Sequence, residues 1–269
     1  MDIPLGKPTD YPERYDPSLL APIDRQPARA AMGLDGPLPF VGEDVWNAYE
    51  FSWLGTSGLP RVAVLQIRVP ADSPRIVESK SMKLYLNGFA QARFGAAQAV
   101  TEVLERDLAG GFGAPVSVRL LGLDAVPVPS AHLPGQSLDG LDVAIETYRR
   151  DPGRLRIAEP DITVEETLHT HLFRSLCPVT SQPDWASLLV RYRGPAIDHE
   201  SLLEYFVSFR THQGFHETTV EQIFLDLKAE CRCERLLIAG YFLRRGGIDI
   251  NPFRSDPGEA WPELRLIRQ

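Results

Sequence analysis

The chain has 269 residues, 43% of them hydrophobic, enough to bury one large core or two smaller ones. Its 28 basic and 36 acidic residues leave a net charge of −8, which excludes a broad nucleic-acid-binding face, because such a face needs concentrated positive charge. No apolar stretch is long enough to span a bilayer, and no basic region leads into an apolar run near Met1, so a cytoplasmic protein is expected.

Residues 1–40 are rich in Pro, Asp and Gly and are expected to run over the surface as an N-terminal extension. Strand-like patterns follow at 44–54 and 61–69, separated by GTSGLP. A helical pattern covers about 81–108, with Ser79 as the expected N-cap and AGGFGAP as its stop. VSVRLLGL from Val116 and LDVAIETYR from Leu141 read as strands, and YRRDPGRLRIAEPD from Tyr148 reads as a linker. The order then returns. VEETLHTHLFRSL is a strand ending just before Cys177, PVTSQPD a loop, and WASLLVRYR another strand. Helical patterns at about 198–210 and 217–229, a strand from Glu234 and the segment ELRLIRQ complete it. Each half therefore reads ββααββ, an α+β class with one module at 41–150 and a second at 151–269.

Residue matches support an internal repeat. SMKLYLNGF at 81–89 aligns with SLLEYFVSF at 201–209, so that Ser81, Tyr85 and Phe89 meet Ser201, Tyr205 and Phe209. FSWLG at 51–55 aligns with FRSLC at 173–177, which sets Gly55 opposite Cys177. The second module has the longer loop at that point, and the loop holds Asp184.

Three cysteines, Cys177, Cys231 and Cys233, make no even disulfide framework, and the last two are too close for a zinc knuckle. On an alternating strand Cys231 and Cys233 would share a face as packing residues. Cys177 is either a small buried hydrophobe or, held at a strand end by a proline-punctuated loop, a nucleophilic thiol. Asp184 is a turn former or a proton donor beside that thiol. His216-Glu217 follows the breaker Gly214. Glu217 is either an ordinary first-turn carboxylate or an acceptor for a purine-like ring. In Glu78-Ser79-Lys80, a cation set against the helix dipole hints at an anionic ligand, and Arg244-Arg245-Gly246-Gly247 suits a phosphate or a solvated turn equally. No G-x-G-x-x-G between strand and helix, H-E-x-x-H, P-loop or G-x-S-x-G motif is present.

Four segments together carry a resemblance: IVESKSMKLYLNGF at 76–89, LCPVTSQPDW at 176–185, GFHE at 214–217 and FLRRGGIDINPFRS at 242–255. In these the chain resembles the QueF family, NADPH-dependent 7-cyano-7-deazaguanine reductases, in its long two-module form. The resemblance implies two tandem tunnelling-fold modules, related to GTP cyclohydrolase I. It implies that Cys177 attacks the nitrile to form a thioimide, that Asp184 donates a proton and that His216 takes part in catalysis. Ile76, Val77, Glu78, His216 and Glu217 would hold the deazaguanine, and Ser79, Lys80, Arg245 and Gly246 would contact NADPH. No metal is implied. A homodimer acting on a small molecule in queuosine biosynthesis, without direct contact to nucleic acid or membrane, is also implied. A zinc cyclohydrolase on the same fold and a non-catalytic purine-binding module are the alternatives.

Overall fold

A computed structural model of the chain describes residues 14–125 and 132–269, which fall into two compact α+β units. One unit gathers residues 14–37, 43–125 and 244–250, and the other 38–42, 132–243 and 251–269. No helix is long and apolar enough to cross a membrane among the described residues.

In the first unit, β1 (Pro22–Asp24) and α1 (Gln26–Ala31) precede the long hairpin of β2 (Val41–Leu54), all but its first two residues, and β3 (Pro60–Pro70). A short β4 (Arg75–Val77), α2 (Ser79–Asn87), α3 (Ala97–Phe112) and β5 (Ser117–Leu121) follow. β3 pairs antiparallel with β2 on one side and β5 on the other, while β4 pairs with β1. α3 buries Val100, Leu104 and Leu108, four residues apart, on one stripe. They pack with Trp46, Leu65, Ile67, Tyr85 and Phe89 in one core.

The second unit holds β6 (Gln136–Ser137), β7 (Ile157–Leu176), β8 (Pro183–Ile197), α4 (His199–Ser208), α5 (His216–Glu230), β9 (Arg235–Phe242) and the greater part of β10 (Ile248–Ser255). β7, β8, β9 and β10 pair antiparallel in that order, and β6 lies parallel to β7. α5 buries Val220, Ile223, Phe224 and Leu227 at helical spacing.

The internal repeat extends to individual hydrogen bonds. Ser81 Oγ donates to Glu78 O and Ser201 Oγ to Asp198 O, both at 2.7 Å. Tyr85 donates to Asp107 at 2.9 Å and Tyr205 to Asp226 at 2.6 Å. Each aspartate has a second partner from a turn built on Asp-Pro. Tyr15, next to Asp16-Pro17, donates to Asp107, and Arg150, next to Asp151-Pro152, forks onto Asp226 at 2.6 and 2.8 Å. Burial and the Asp107 carboxylate push the Tyr85 phenol far up.

Several expectations are corrected. Residues 14–40 do not merely cover the surface: Ile23, Arg25 and Arg29 are buried, and Arg25 pairs with buried Asp44 at 2.5 Å. The single helix at about 81–108 is two helices, parted by a 3-10 turn at Gly88–Gln91. Its N-cap is Glu78, not Ser79, because the longer carboxylate reaches two backbone N–H groups. LDVAIETYR forms no strand and neither does ELRLIRQ; the last strand is β10 instead. Cys231 and Cys233 flank the left-handed Arg232 after α5 rather than sharing a strand face. Both are buried packing residues all the same, and burial pushes each thiol up to about 12.

The repeated carboxylate predicts a stability effect. Asp226→Ala leaves fully buried Tyr205 without its acceptor and Arg150 without its carboxylate, so urea unfolding should show a loss of about 2–4 kcal/mol. An unchanged midpoint would show that the pair is energetically idle.

Candidate active site

Beyond a register shift between Thr170 and Phe173, β7 and β8 pair without a break from Phe173 with Ala186 to their last pair, Leu176 with Pro183, and the ladder continues one step further. Cys177 N–H donates to Gln182 O and Ser181 N–H to Cys177 O, each at 2.9 Å. Ser181 takes φ 56°, uncommon for a residue with a side chain, and its Oγ accepts from Gln213 at 2.8 Å. The first unit has the same device one residue shorter: Gly55 N–H donates to Leu59 O, and left-handed Gly58 donates to Gly55 O. Leu176 is tied down too, its N–H donating to His212 O at 2.8 Å and its carbonyl accepting from Gly214 at 3.1 Å. Cys177 is thus buried and fixed on both sides.

Asp184 lies opposite Ser175, two residues before Cys177. Side chains two apart on a strand share a face, as do directly opposed partners, so Cys177 and Asp184 project to the same side. Asp184 is almost wholly buried, and its Oδ2 stands 3.4 Å from His216 Nε2. His216 opens α5, and its ring stacks on Phe242 with centroids 3.8 Å apart. His216 Nδ1 is buried with no hydrogen-bond partner among the described residues. Glu217, also buried, sits in the first turn of α5, where helix N–H groups favour negative charge.

The remaining expected residues lie in the first unit. Ile76 and Val77 are buried in β4, and Glu78 N–H donates to Ala21 O at 2.9 Å. Glu78 Oε1 accepts from Lys80 N at 2.7 Å and Oε2 from Ser81 N at 2.9 Å. Ser79 and Lys80, half-buried, form the first turn of α2. Arg245 and Ile248 exchange backbone hydrogen bonds across Gly246 and Gly247, which take φ 59° and 81°: a primed two-residue turn that glycine permits. A Cβ on Gly246 would stand 3.1 Å from Lys83 Cε, so the bare backbone leaves room for that side chain. A cavity of about 220 Å³ opens there, lined among others by Glu50, Ser52, Lys83, Asn87, Gly246 and Gly247.

The sequence was compared with known proteins. Residues 11–120 match the family model described as nitrile reductase, 7-cyano-7-deazaguanine-reductase N-term, and residues 183–260 match a QueF-like protein model. An NADPH-dependent 7-cyano-7-deazaguanine reductase of Chromohalobacter salexigens is 54% identical over 268 residues, covering 99% of this chain and 96% of that protein. One of the same name from Burkholderia multivorans is 51% identical, covering 99% and 98%. The chain belongs to the QueF family.

Within that family frame, the structure gathers Cys177, Asp184, His216 and Glu217 on adjoining elements of one unit. Ile76 to Lys80 and the Arg245-Gly246 turn belong to the other unit, where Lys83 links α2 to the turn. Sequence reasoning passed over Lys83 and Asn87, although with Lys80 they fall at i, i+3 and i+7 on one helix face. It also passed over Phe242, which no local pattern marks. Arg244 is exposed and sits over the Tyr49 ring at 4.6 Å, a cation–π contact. Among the described residues, no group of three or more His, Cys, Asp or Glu is placed to hold a metal.

Because both Glu78 oxygens cap α2, Glu78→Ala should cost about 1 kcal/mol of stability, apart from any loss of ligand binding. Glu78→Asp tests the reach: a shorter carboxylate caps as Asp198 does in α4, so melting should recover. Equal melting of Glu78→Ala and the wild type would contradict the cap.

Proposed function

We propose that this chain reduces the nitrile of 7-cyano-7-deazaguanine to the primary amine with two NADPH, through a thioimide on Cys177, as a step of tRNA queuosine biosynthesis. Relatives named for this reaction, 50–54% identical over nearly the whole chain, support the substrate and the cofactor. The observation that carries the mechanism is the carboxylate–imidazole pair beside the cysteine: Asp184 lies opposite Ser175, two residues before Cys177, and its Oδ2 is 3.4 Å from His216 Nε2.

The Cys177 thiolate adds to the nitrile carbon, forming the C–S bond, and Asp184 gives the nitrile nitrogen its proton. The resulting C=N is a far better hydride acceptor than a nitrile. NADPH supplies hydride when bound, and two are needed to pass from nitrile to amine. After the first reduction the C–S bond breaks, Cys177 leaves as thiolate, and a second hydride and proton complete the amine. His216, fixed beside Asp184, holds the proton path in place. Glu217 and Glu78 accept hydrogen bonds from the deazaguanine, with the Ile76 and Val77 backbone beside it. Ser79, Lys80, Arg245 and Gly246 would hold the cofactor; the Lys83 ammonium beside the bare Gly246 backbone, at the edge of the 220 Å³ cavity, suits its phosphates. The pocket must exclude water, which would otherwise hydrolyse the imine to an aldehyde.

The same reading takes the modules at 41–150 and 151–269 as tunnelling folds, with 1–40 as an extension, in a cytoplasmic homodimer. The ββαα succession in each half, with the short β4 inserted before α2 in the first, supports the two-module part of it.

Covalent capture is the direct test. Intact-mass measurement after adding the nitrile without NADPH should show one substrate mass gained, and Cys177→Ala should lose it. An adduct that persists in Cys177→Ala would move the nucleophile elsewhere.

A further inference from the structure

We propose that Phe242 is a positioning residue that fixes the plane of His216; the inference rests on the reading of His216 as part of the reactive site. The two rings stack with centroids 3.8 Å apart and an interplanar angle of 6°. An imidazole left to turn about its terminal torsion would tilt out of this plane and swing Nε2 away from Asp184, because that torsion is broad. Pressed flat on Phe242, it keeps Nε2 3.4 Å from Asp184 Oδ2 and leaves Nδ1 buried without a partner among the described residues.

Phe242 is itself held from three directions. Its ring lies over Gly240, where a Cβ would come within 2.7 Å of Phe242 Cε2, so the missing side chain makes the ring's seat. Phe173 packs edge-on at 6.3 Å. Its peptide is gripped by side chains rather than by a ladder neighbour alone. The N–H donates to Asn251 Oδ1 at 3.1 Å, and the carbonyl accepts from Gln269 Nε2 at 3.2 Å. Gln269 Nε2 also donates to Asn251 Oδ1 at 2.7 Å, and Gln269 Oε1 accepts from Leu266 N–H at 3.0 Å. The amide is thereby oriented with its donor toward Phe242. Such a grip goes beyond what packing a fully buried phenylalanine requires, and it converges on one ring face.

The test uses the full-length protein with two readouts. The His216 imidazole protons, followed by NMR in the ligand-free protein, should be shifted upfield by the Phe242 ring current. Phe242→Leu should remove that shift, and Phe242→Tyr should retain it. In steady-state assays with NADPH and the nitrile, Phe242→Leu should lower kcat on the order of tenfold to a hundredfold, the cost of a misplaced catalytic group. The KM for NADPH should stay within about twofold, and Phe242→Tyr should restore kcat, because only His216 orientation is at stake. If Phe242→Leu does not fold, Gln269→Ala, which keeps the ring and loosens its anchor, should shift both readouts in the same direction. A His216 resonance unmoved by Phe242→Leu, or a kcat unmoved when the resonance does shift, would overturn the proposal. Wild-type protein that consumed no NADPH would instead overturn the nitrile reading, and the resonance would still decide whether Phe242 orients His216.

Discussion

Both backbone hydrogen-bonding groups of Leu176 are committed to the segment just before α5, and the candidate site hangs on that clasp. It sets the last residue of β7 against 212–214, so Cys177 and the start of α5 cannot drift apart. Asp184 is then delivered by strand register and His216-Glu217 by the first turn of a helix. Three different elements supply the reactive groups, yet no long loop is needed to place them. Rigid elements with short connections are what a covalent reaction requires, since an error of an ångström at the reacting atoms costs orders of magnitude in rate.

The first unit carries the same clasp. Leu54 donates to Ala92 O and accepts from Phe94 N–H, each at 2.9 Å, as Leu176 does with His212 and Gly214. The scaffold therefore stands without the chemistry: glycine occupies the cysteine's place at residue 55. What differs is the decoration. Where α4 is capped by the short Asp198, α2 is capped by the longer Glu78 with Lys80 behind it. The Asp-Pro turns at Asp16 and Asp151 brace Asp107 and Asp226 alike, one through a tyrosine and the other through an arginine. Conserving the frame while varying one or two side chains per position allows each unit to carry a different part of the residue set.

Much of this was legible in the sequence, and the failures have physical causes. Period-two alternation placed β2, β3, β7 and β8, and the residue matches paired positions such as Ser81 and Ser201, which make the same hydrogen bond in the two halves. LDVAIETYR misled because its burial does alternate residue by residue while its backbone finds no ladder partner. Alternation reports an extended chain, not a paired one. IDINPFRS was passed over as a strand for the opposite reason: it is buried on both faces and contains Pro252, so it neither alternates nor looks like a strand interior. Cys177 and Asp184 stood out in a proline-marked loop, but their shared face follows only from the β7–β8 register. The stacking of Phe242 on His216 joins residues from different elements, and no local pattern carries it.

The central claim is that this protein takes a nitrile through to an amine. Purified protein mixed with limiting 7-cyano-7-deazaguanine and excess NADPH should consume about two NADPH per substrate by nicotinamide absorbance, as two hydride additions require. Mass analysis should then find the aminomethyl product alone. No oxidation of NADPH, or a single equivalent consumed with an aldehyde as product, would contradict the account.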